Sequence, residues 1–188
     1  MALLESAAVA GFLSAAGRSE LLVFKSSHRL EVLARARGWR ILAPPARLTR
    51  RWENKVAFLD LASALGLPVP EAVVCDPGEA EYAALAAQLG GEFVAQAAHG
   101  FGGVRTLPVA SARALEAARG LIRGPQARFT RLVGGASWTQ TGCVTGLGVA
   151  LGPPAFQITG EARLTPRPMG SCGNDWTVAP PVPPAHFD

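Results

Sequence analysis

Lysine and cysteine are scarce in this sequence. Only two of its 18 basic side chains are lysines, Lys25 and Lys55. The three cysteines, Cys75, Cys143 and Cys172, are far apart and odd in number, and no Cys-x-x-Cys pair or Cys/His cluster occurs. This usage argues against a disulfide framework and against a zinc site. It predicts reduced thiols in a cytoplasmic protein.

Long apolar runs, basic stripes and serine-nucleophile motifs are also missing. The apolar opening at 1–17 is too short to span a bilayer and lacks the positive start of a signal peptide, so it predicts a first helix. The basic residues of 35–52 form two short clusters, whereas a nucleic-acid surface would need a longer basic stripe with interleaved aromatics. We therefore expect neither a nucleic-acid partner nor a membrane partner. With three histidines and no Gly-x-Ser-x-Gly motif, a nucleophilic triad is hard to build.

The composition that remains is that of a globular α/β protein. Apolar residues make up 49% of the 188 residues and charged residues 17%, which suits one good-sized core or two small lobes. A short apolar strand at 20–25 is followed by a helix at 26–38 with a serine cap and a glycine stop. A second strand at 39–45 is closed by prolines. Strand, helix and strand in this order predict a βαβ unit.

Further helices and strands are predicted along the rest of the chain. Helices begin at Asn54, at Pro77 and near Ala110, the first two ending at Gly66 and before Gly90. The patterns predict strands at 71–75, 92–96, 104–109, 127–133, 136–145 and 154–159. The strands at 92–96 and 104–109 are expected to form a hairpin, and the last three an antiparallel sheet. The final "APPVPPAHFD" predicts an extended tail.

A glycine-rich loop joins the two strands of the predicted hairpin. Residues 92–106 read "EFVAQAAHGFGGVRT". The backbone N–H groups of Gly100, Gly102 and Gly103 could donate to phosphate oxygens, with charge added by Arg105 or His99. The same glycines could instead only permit a tight turn. No Gly-Lys-Ser/Thr follows and a strand comes next, so the loop is neither a Walker A loop nor a Rossmann fingerprint.

Three other places could carry chemistry. Lys55 opens a helix, where it is either a ligand-binding ammonium or an ordinary exposed residue. A strand and a Gly-Gly turn at 127–135 could hold adenine through backbone groups, or could form a plain hairpin. Glu161, Asn174 and Asp175 are the polar candidates of a Pro/Gly-rich segment that is equally typical of a surface loop.

In their order and spacing these features resemble the ATP-grasp family of ATP-dependent carboxylate–amine or thiol ligases, which also includes biotin carboxylase. The resemblance covers residues 21–160 and rests on "NK", "LGLPVPEAVV", the glycine-rich loop and "FTRLVGGASWTQTGCV". It implies an α/β (α+β) ATP-grasp-like fold. The expected parts are a partial N-terminal βαβ lobe at 1–50, a small lobe with a glycine-rich flap at 51–130, and the start of the larger antiparallel lobe at 131–188.

The resemblance also implies a set of ATP-binding residues. Lys55 matches a lysine that reaches the ATP phosphates, and Gln96 stands where most members carry a second lysine. Branches with Gln at that position have a small-residue loop and a following threonine, which Thr106 matches. The rest of the implied set comes from the flap and from the strand edge that holds adenine: His99, Gly100, Phe101, Gly102, Gly103, Arg105, Arg131, Leu132 and Val133. No catalytic residue is implied.

Magnesium is expected for the family, but the family's metal ligands do not occur here. After Gly120 the acidic residues are Glu161, Asp175 and Asp188, and no Glu-x-Asn is present. We therefore expect a chain truncated before the metal-binding half. The implied function is ATP binding by a fragment of a ligase that acts on a small carboxylate through an acyl phosphate, with a homo-oligomer or a complementing chain as a further partner. Two alternatives stay open: a non-catalytic remnant or nucleotide-binding regulatory domain, and an unrelated α/β binding module whose glycines serve only turns.

Overall fold

The computed structural model describes residues 2–15, 17 and 19–178, so the predicted tail at 179–188 lies outside the described residues. The helices are α1 (Ala2–Glu5), α2 (Ala7–Ala15), α3 (His28–Arg37), α4 (Ala46–Trp52), α5 (Lys55–Ala64), α6 (Tyr82–Leu89) and α7 (Ala112–Leu121). The strands are β1 (Glu20–Leu22), β2 (Arg40–Leu42), β3 (Ala72–Cys75), β4 (Phe93–Ala97), β5 (Thr106–Val109), β6 (Ala127–Arg131), β7 (Trp138–Thr139), β8 (Gly142–Thr145), β9 (Gly148–Leu151), β10 (Ala155–Thr159) and β11 (Ser171–Asp175).

The chain divides into two compact units, with the boundary inside α5 between Leu61 and Ala62. In the first unit β1 and β2 pair in parallel, with α3 as the connection between them. The Ser27 side chain accepts a hydrogen bond from the Leu30 N–H at 3.2 Å and caps the start of α3. Gly38 ends the helix in a left-handed conformation with φ 68. The predicted βαβ unit is confirmed.

A small core holds this first unit together. Ala10, Ala34 and Trp39 are buried in it, with several leucines packed around them. The predicted first helix is present as two pieces, because the chain leaves helical geometry at Ser6. Within the described ranges, no helix has the length and apolar character needed to cross a membrane.

The second unit is built on a four-stranded sheet with the order β3-β6-β4-β5, in which every pairing is antiparallel. Alternate residues of its strands face α6 and α7 and form the main core. The largest fully buried side chains are Leu89, Phe93, Val109 and Phe129. Phe93 and Phe129 meet edge to face, with ring centroids 6.3 Å apart. The predicted hairpin of β4 and β5 is confirmed.

The predicted sheet of the last three strands is wrong in its membership. β6 pairs with β3 and β4, so it belongs to the four-stranded sheet. The predicted strand at 136–145 divides into β7 and β8, and β7, β10 and the unpredicted β11 form a separate three-stranded sheet. β8 pairs only with β9, another strand that was not predicted. The alternation of side chains indicates a strand, but it does not encode which strand will pair with it.

The predicted start of the helix between β3 and β4 is also wrong. α6 begins at Tyr82 rather than at Pro77. The Asp76 carboxylate accepts a hydrogen bond from the Gly78 N–H at 2.7 Å, which closes a turn on its own backbone. That turn uses the residues that were expected to open the helix.

Candidate functional site

Three polar side chains form a row across the four-stranded sheet, on the face opposite the helices. Gln96 lies directly across from Arg128 of β6 and from Thr106 of β5. Its neighbours on β4, Ala95 and Ala97, point to the buried core instead, because successive residues of a strand face opposite sides. We call Arg128, Gln96 and Thr106 the polar row.

Hydrogen bonds fix the orientation of the polar row. The Gln96 Oε1 accepts from Arg128 Nε at 3.0 Å and also from the terminal Nη2 of the same guanidinium. The Gln96 Nε2 lies 3.4 Å from Thr106 Oγ1, to which it donates. The amide therefore turns its oxygen towards the cation and its nitrogen towards the hydroxyl.

Arg128 is the charged member of the row. It is partly buried, and this burial lowers the pKa of Arg128 from its ordinary value. Because that ordinary value lies far above neutral pH, the guanidinium keeps its charge. A partly desolvated cation attracts an anion more strongly than one in bulk water.

The loop of residues 98–105 between β4 and β5, which we call the flap, has an unusual backbone. Gly102, Gly103 and Arg105 have φ values of 57, 78 and 58, all in the left-handed region. The N–H groups of Val104 and Thr106 donate to carbonyls within the turn, at 3.0 and 3.2 Å. Among the described residues, nothing accepts a hydrogen bond from the N–H of Gly102 or Gly103.

The flap touches a second turn at residues 165–170. A Cβ built on Gly103 would lie 2.2 Å from the Met169 carbonyl oxygen, so no larger residue fits at this contact without a backbone shift. A Cβ on Gly160 would meet the Pro168 carbonyl oxygen at the same distance of 2.2 Å. The 165–170 turn is thus held between two glycine backbones, one of the flap and one at the end of β10.

The side chain of Arg131 does not join the polar row. It lies on the other face of β6, where its Nη2 is 2.7 Å from the Glu71 carboxylate and 3.3 Å from the Gln88 carbonyl oxygen. Leu132 and Val133 follow the end of the strand, and Val133 is exposed.

Lys55 lies in the first unit, where it is the first residue of α5. The Asn54 side chain caps this helix by accepting hydrogen bonds from Val56 N at 2.9 Å and Ala57 N at 3.2 Å. The predicted cap is confirmed. The polar row and the flap belong to the second unit.

The acidic candidates of the sequence do not form a metal site. Glu161 accepts from Arg163 Nε at 2.9 Å, and this bond lowers the pKa of the Glu161 carboxyl. Asp175 accepts from the hydroxyl and the N–H of Thr177 at 2.6 and 2.8 Å, which lowers the pKa of Asp175. In the portion of the chain that is described, no three His, Cys, Asp or Glu side chains come together as metal ligands. The described residues therefore offer no ready-made cluster of ligands for a magnesium ion.

No protein-family model and no curated protein sequence matches the chain. Solved structures match it closely in shape. D-alanyl-alanine synthetase A from Vibrio cholerae gives a TM-score of 0.64 at 14% identity, over 89% of this chain and 54% of that one. The RimK domain ATP-grasp protein from Sphaerobacter thermophilus gives 0.59 at 17% identity, over 89% of this chain and 60% of that one. The chain has an ATP-grasp fold.

A third match agrees with this result. Carboxyaminoimidazole ribonucleotide synthase from Aspergillus clavatus, solved with ATP, gives a TM-score of 0.59 at 14% identity, over 75% of this chain and 38% of that one. The predicted ATP-grasp-like α/β fold is confirmed, and the chain spans about half the length of the proteins it matches. The division into lobes at 1–50, 51–130 and 131–188 stays a prediction.

Sequence reasoning missed one member of the polar row, Arg128. The strand "ARFTRLV" carries two arginines. Strand alternation puts Arg128 and Thr130 on one face of the sheet and Phe129 on the other, but it does not show which residue of a neighbouring strand lies beside Arg128. Its position beside Gln96 depends on the pairing of β6 with β4. That pairing brings together residues 32 positions apart, and no local sequence pattern predicts it.

Proposed function

We propose that the polar-row face of the four-stranded sheet binds ATP, with the flap covering the phosphates. The observation that supports this proposal most directly is the partly buried Arg128 guanidinium beside Gln96, two residues before the flap. Proteins with the same fold have been solved with nucleotides, one with ATP and two with ADP.

The proposed phosphate contacts come from a side chain and from the backbone. Arg128 supplies a planar guanidinium, which can donate two parallel hydrogen bonds to a phosphate group. The N–H groups of Gly102 and Gly103, which no described carbonyl engages, are proposed to donate to the phosphate oxygens as well. Together they would place donors on two sides of the phosphates.

The remaining contacts are proposed from the sequence resemblance. Lys55 is proposed to reach the phosphates, and the strand edge of 131–133 to hold adenine. The Arg131 N–H already donates to the Glu71 carbonyl oxygen at 2.9 Å, so the adenine contact falls to the backbone of Leu132 and Val133. Apolar side chains such as Val133 would cover the base.

We further propose that the complete site is that of a carboxylate–amine or carboxylate–thiol ligase. A carboxylate oxygen of the substrate attacks the terminal phosphorus of ATP, which forms an acyl phosphate and releases ADP. An amine or thiol then attacks the acyl carbon and releases phosphate. The chain's own task in this scheme is to position and neutralise the phosphates.

A second candidate function is nucleotide binding without catalysis, as in a regulatory domain. The engagement of Glu161 by Arg163 and of Asp175 by Thr177 favours it, because each carboxylate already has a local hydrogen-bond partner and the two belong to no described cluster of metal ligands. The two candidates share the ATP site and differ in whether the bound ATP reacts.

Calorimetric titration with ATP tests the shared site. Because a hydrogen bond to a charged group contributes about 1.5–3 kcal/mol, Arg128→Met should weaken ATP binding by about tenfold to a hundredfold. Arg113→Met is the matched control, since Arg113 is exposed on α7 and lies outside the polar row. Thermal unfolding of both variants checks that each is folded. Equal ATP affinity in the parent and in a folded Arg128→Met variant would contradict the proposal.

Hydroxylamine trapping separates the two candidate functions. The protein is incubated with ATP, magnesium and a panel of small carboxylates in the presence of hydroxylamine, which converts an acyl phosphate into a stable hydroxamate. Hydroxamate formation that is lost in Arg128→Met supports the ligase. ATP binding without hydroxamate or ADP formation for any carboxylate supports the non-catalytic domain.

A further inference from the structure

A cavity of about 540 Å³ lies in the second unit, beside the edge strand of the four-stranded sheet. Its walls are the flap and the start of β5, the end of α7, and residues 166–168. This volume is in the range of small-molecule binding pockets in proteins. The cavity is therefore large enough to enclose most of a small organic ligand.

Three arginines line this cavity: Arg105, Arg123 and Arg167. They come from three different segments of the chain, so the fold brings them together. No Asp or Glu is among the described residues that line the cavity. None of the three guanidinium groups forms an ion pair with a described residue. The described lining of the cavity thus contains three arginines and no acidic residue.

Apart from Thr106, the rest of the lining is made of apolar residues and glycines. Leu107 and Leu121 contribute apolar surface, and Leu121 is 56% exposed. Pro166 and Pro168 flank Arg167, and their rings fix the backbone on either side of it. Glycine at position 103 allows the flap to rest against the 165–170 turn, which keeps two of the walls together. Such pre-organised walls reduce the entropy lost when a ligand binds.

The cavity is separate from the polar row in its charged side chains. Leu107, which lines the cavity, packs against the core under the helices, whereas Arg128 and Gln96 lie on the opposite face of the sheet. Neither Arg128 nor Gln96 lines the cavity, whereas Thr106 of the polar row and three flap residues do: Gly103, Val104 and Arg105.

We propose that this cavity binds a small organic anion, a carboxylate or a phosphate monoester with an apolar body. The anionic group binds between the arginines, and the apolar body lies against Leu107 and Leu121. The cavity shares flap residues with the proposed ATP site, but Arg123, Arg167 and Leu121 take no part in the proposed ATP contacts, so this proposal stands whether or not the chain binds ATP.

The test uses NMR of the methyl groups, with phenyl phosphate and 3-phenylpropionate as probes. Each probe should shift the methyl signals of Leu107 and Leu121, and those of Val144 and Val149 on the β8–β9 hairpin should not move. The probe that binds more tightly shows whether the cavity prefers a phosphate monoester or a carboxylate. The neutral isostere 3-phenylpropanamide and inorganic phosphate alone should each bind at least about tenfold more weakly than the better probe, since each lacks one half of the interaction.

Charge-reversal variants locate the site. Arg123→Glu and Arg167→Glu should each weaken the better probe by about tenfold or more, while Arg113→Glu on the same helix as Leu121 should leave its affinity unchanged. Arg123→Gln and Arg167→Gln repeat the test without adding a negative charge, and the methyl spectrum of the core shows that each variant is folded.

The proposal is overturned if the amide binds as well as the acids, if inorganic phosphate alone binds as well as phenyl phosphate, if the arginine variants bind normally, or if ATP displaces the probe. A failure of ATP to bind leaves these results unaffected, so the two proposals fail separately.

Discussion

Replacement of Gly103 by alanine probes the contact between the flap and the 165–170 turn. The new Cβ would lie 2.2 Å from the Met169 carbonyl oxygen, 2.6 Å from the carbonyl carbon and 2.7 Å from the Gly170 Cα. All three are backbone atoms, so a rotation of a side chain cannot relieve the overlap. Either the flap or the turn has to move.

Two costs add at this position. Gly103 has a φ of 78, and an L-residue in the left-handed region costs about 1–2 kcal/mol. Forcing an extra carbon into a filled space costs about 1–3 kcal/mol more. Gly102 is the matched control, since its φ of 57 carries the same backbone cost but an added Cβ meets nothing within 4 Å. We therefore expect Gly103→Ala to lower the free energy of unfolding by about 1–3 kcal/mol more than Gly102→Ala.

Amide hydrogen exchange measures this difference in the unit concerned. The amides of Ala95 and Phe129, in the middle of β4 and β6, exchange when the second unit unfolds. Their protection should fall more in Gly103→Ala than in Gly102→Ala. Equal losses in the two variants would refute the reasoning, because they would mean that backbone strain alone matters and that the flap does not rest on the turn in solution.

The remaining predictions concern Cys75 and the core. Burial, with a smaller contribution from Asp76 and Glu79, raises the pKa of the Cys75 thiol, so at pH 8 iodoacetamide should alkylate Cys75 more slowly than the exposed Cys143, as measured by peptide mass spectrometry. Because the thiolate is disfavoured in the folded state, the stability that Cys75 contributes should be present below pH ~8.5 and should fall as the pH rises further. Phe129→Ala should lower the free energy of unfolding by about 3–5 kcal/mol, and Phe129→Leu by less, in urea unfolding experiments.

The sequence predicts best those elements whose signals are local. α3 is confirmed from its serine cap to its glycine stop, since capping groups act within one turn of the helix. The hairpin of β4 and β5 is confirmed for the same reason, because the glycines that turn the chain lie directly between its strands. Such features depend on residues that are neighbours in the chain.

Features that depend on distant residues were predicted less well. β6 was assigned to the wrong sheet, since its partners β3 and β4 are fixed by the packing of Phe129 against Phe93 rather than by any turn. Arg128 was missed for this reason, although it is the charged residue nearest to Gln96 on the sheet. The arginine-lined cavity was missed as well, because its walls come from three separate segments.

The pairing of β6 with β4 also bears on the glutamine at position 96, where the resemblance would place a lysine in most members. In the proposed site a cation near position 96 would attract the phosphates, and Coulomb attraction depends on where the charge lies and not on which strand supplies it. Arg128 lies directly across from Gln96, so the charge that a lysine on β4 would bring is present on β6. The Gln96 amide oxygen accepts two of the guanidinium's hydrogen bonds, which holds the charge beside position 96. In the proposed ATP site the pair Gln96–Arg128 would therefore take the place of a single lysine, so a glutamine at position 96 is compatible with the proposed phosphate binding.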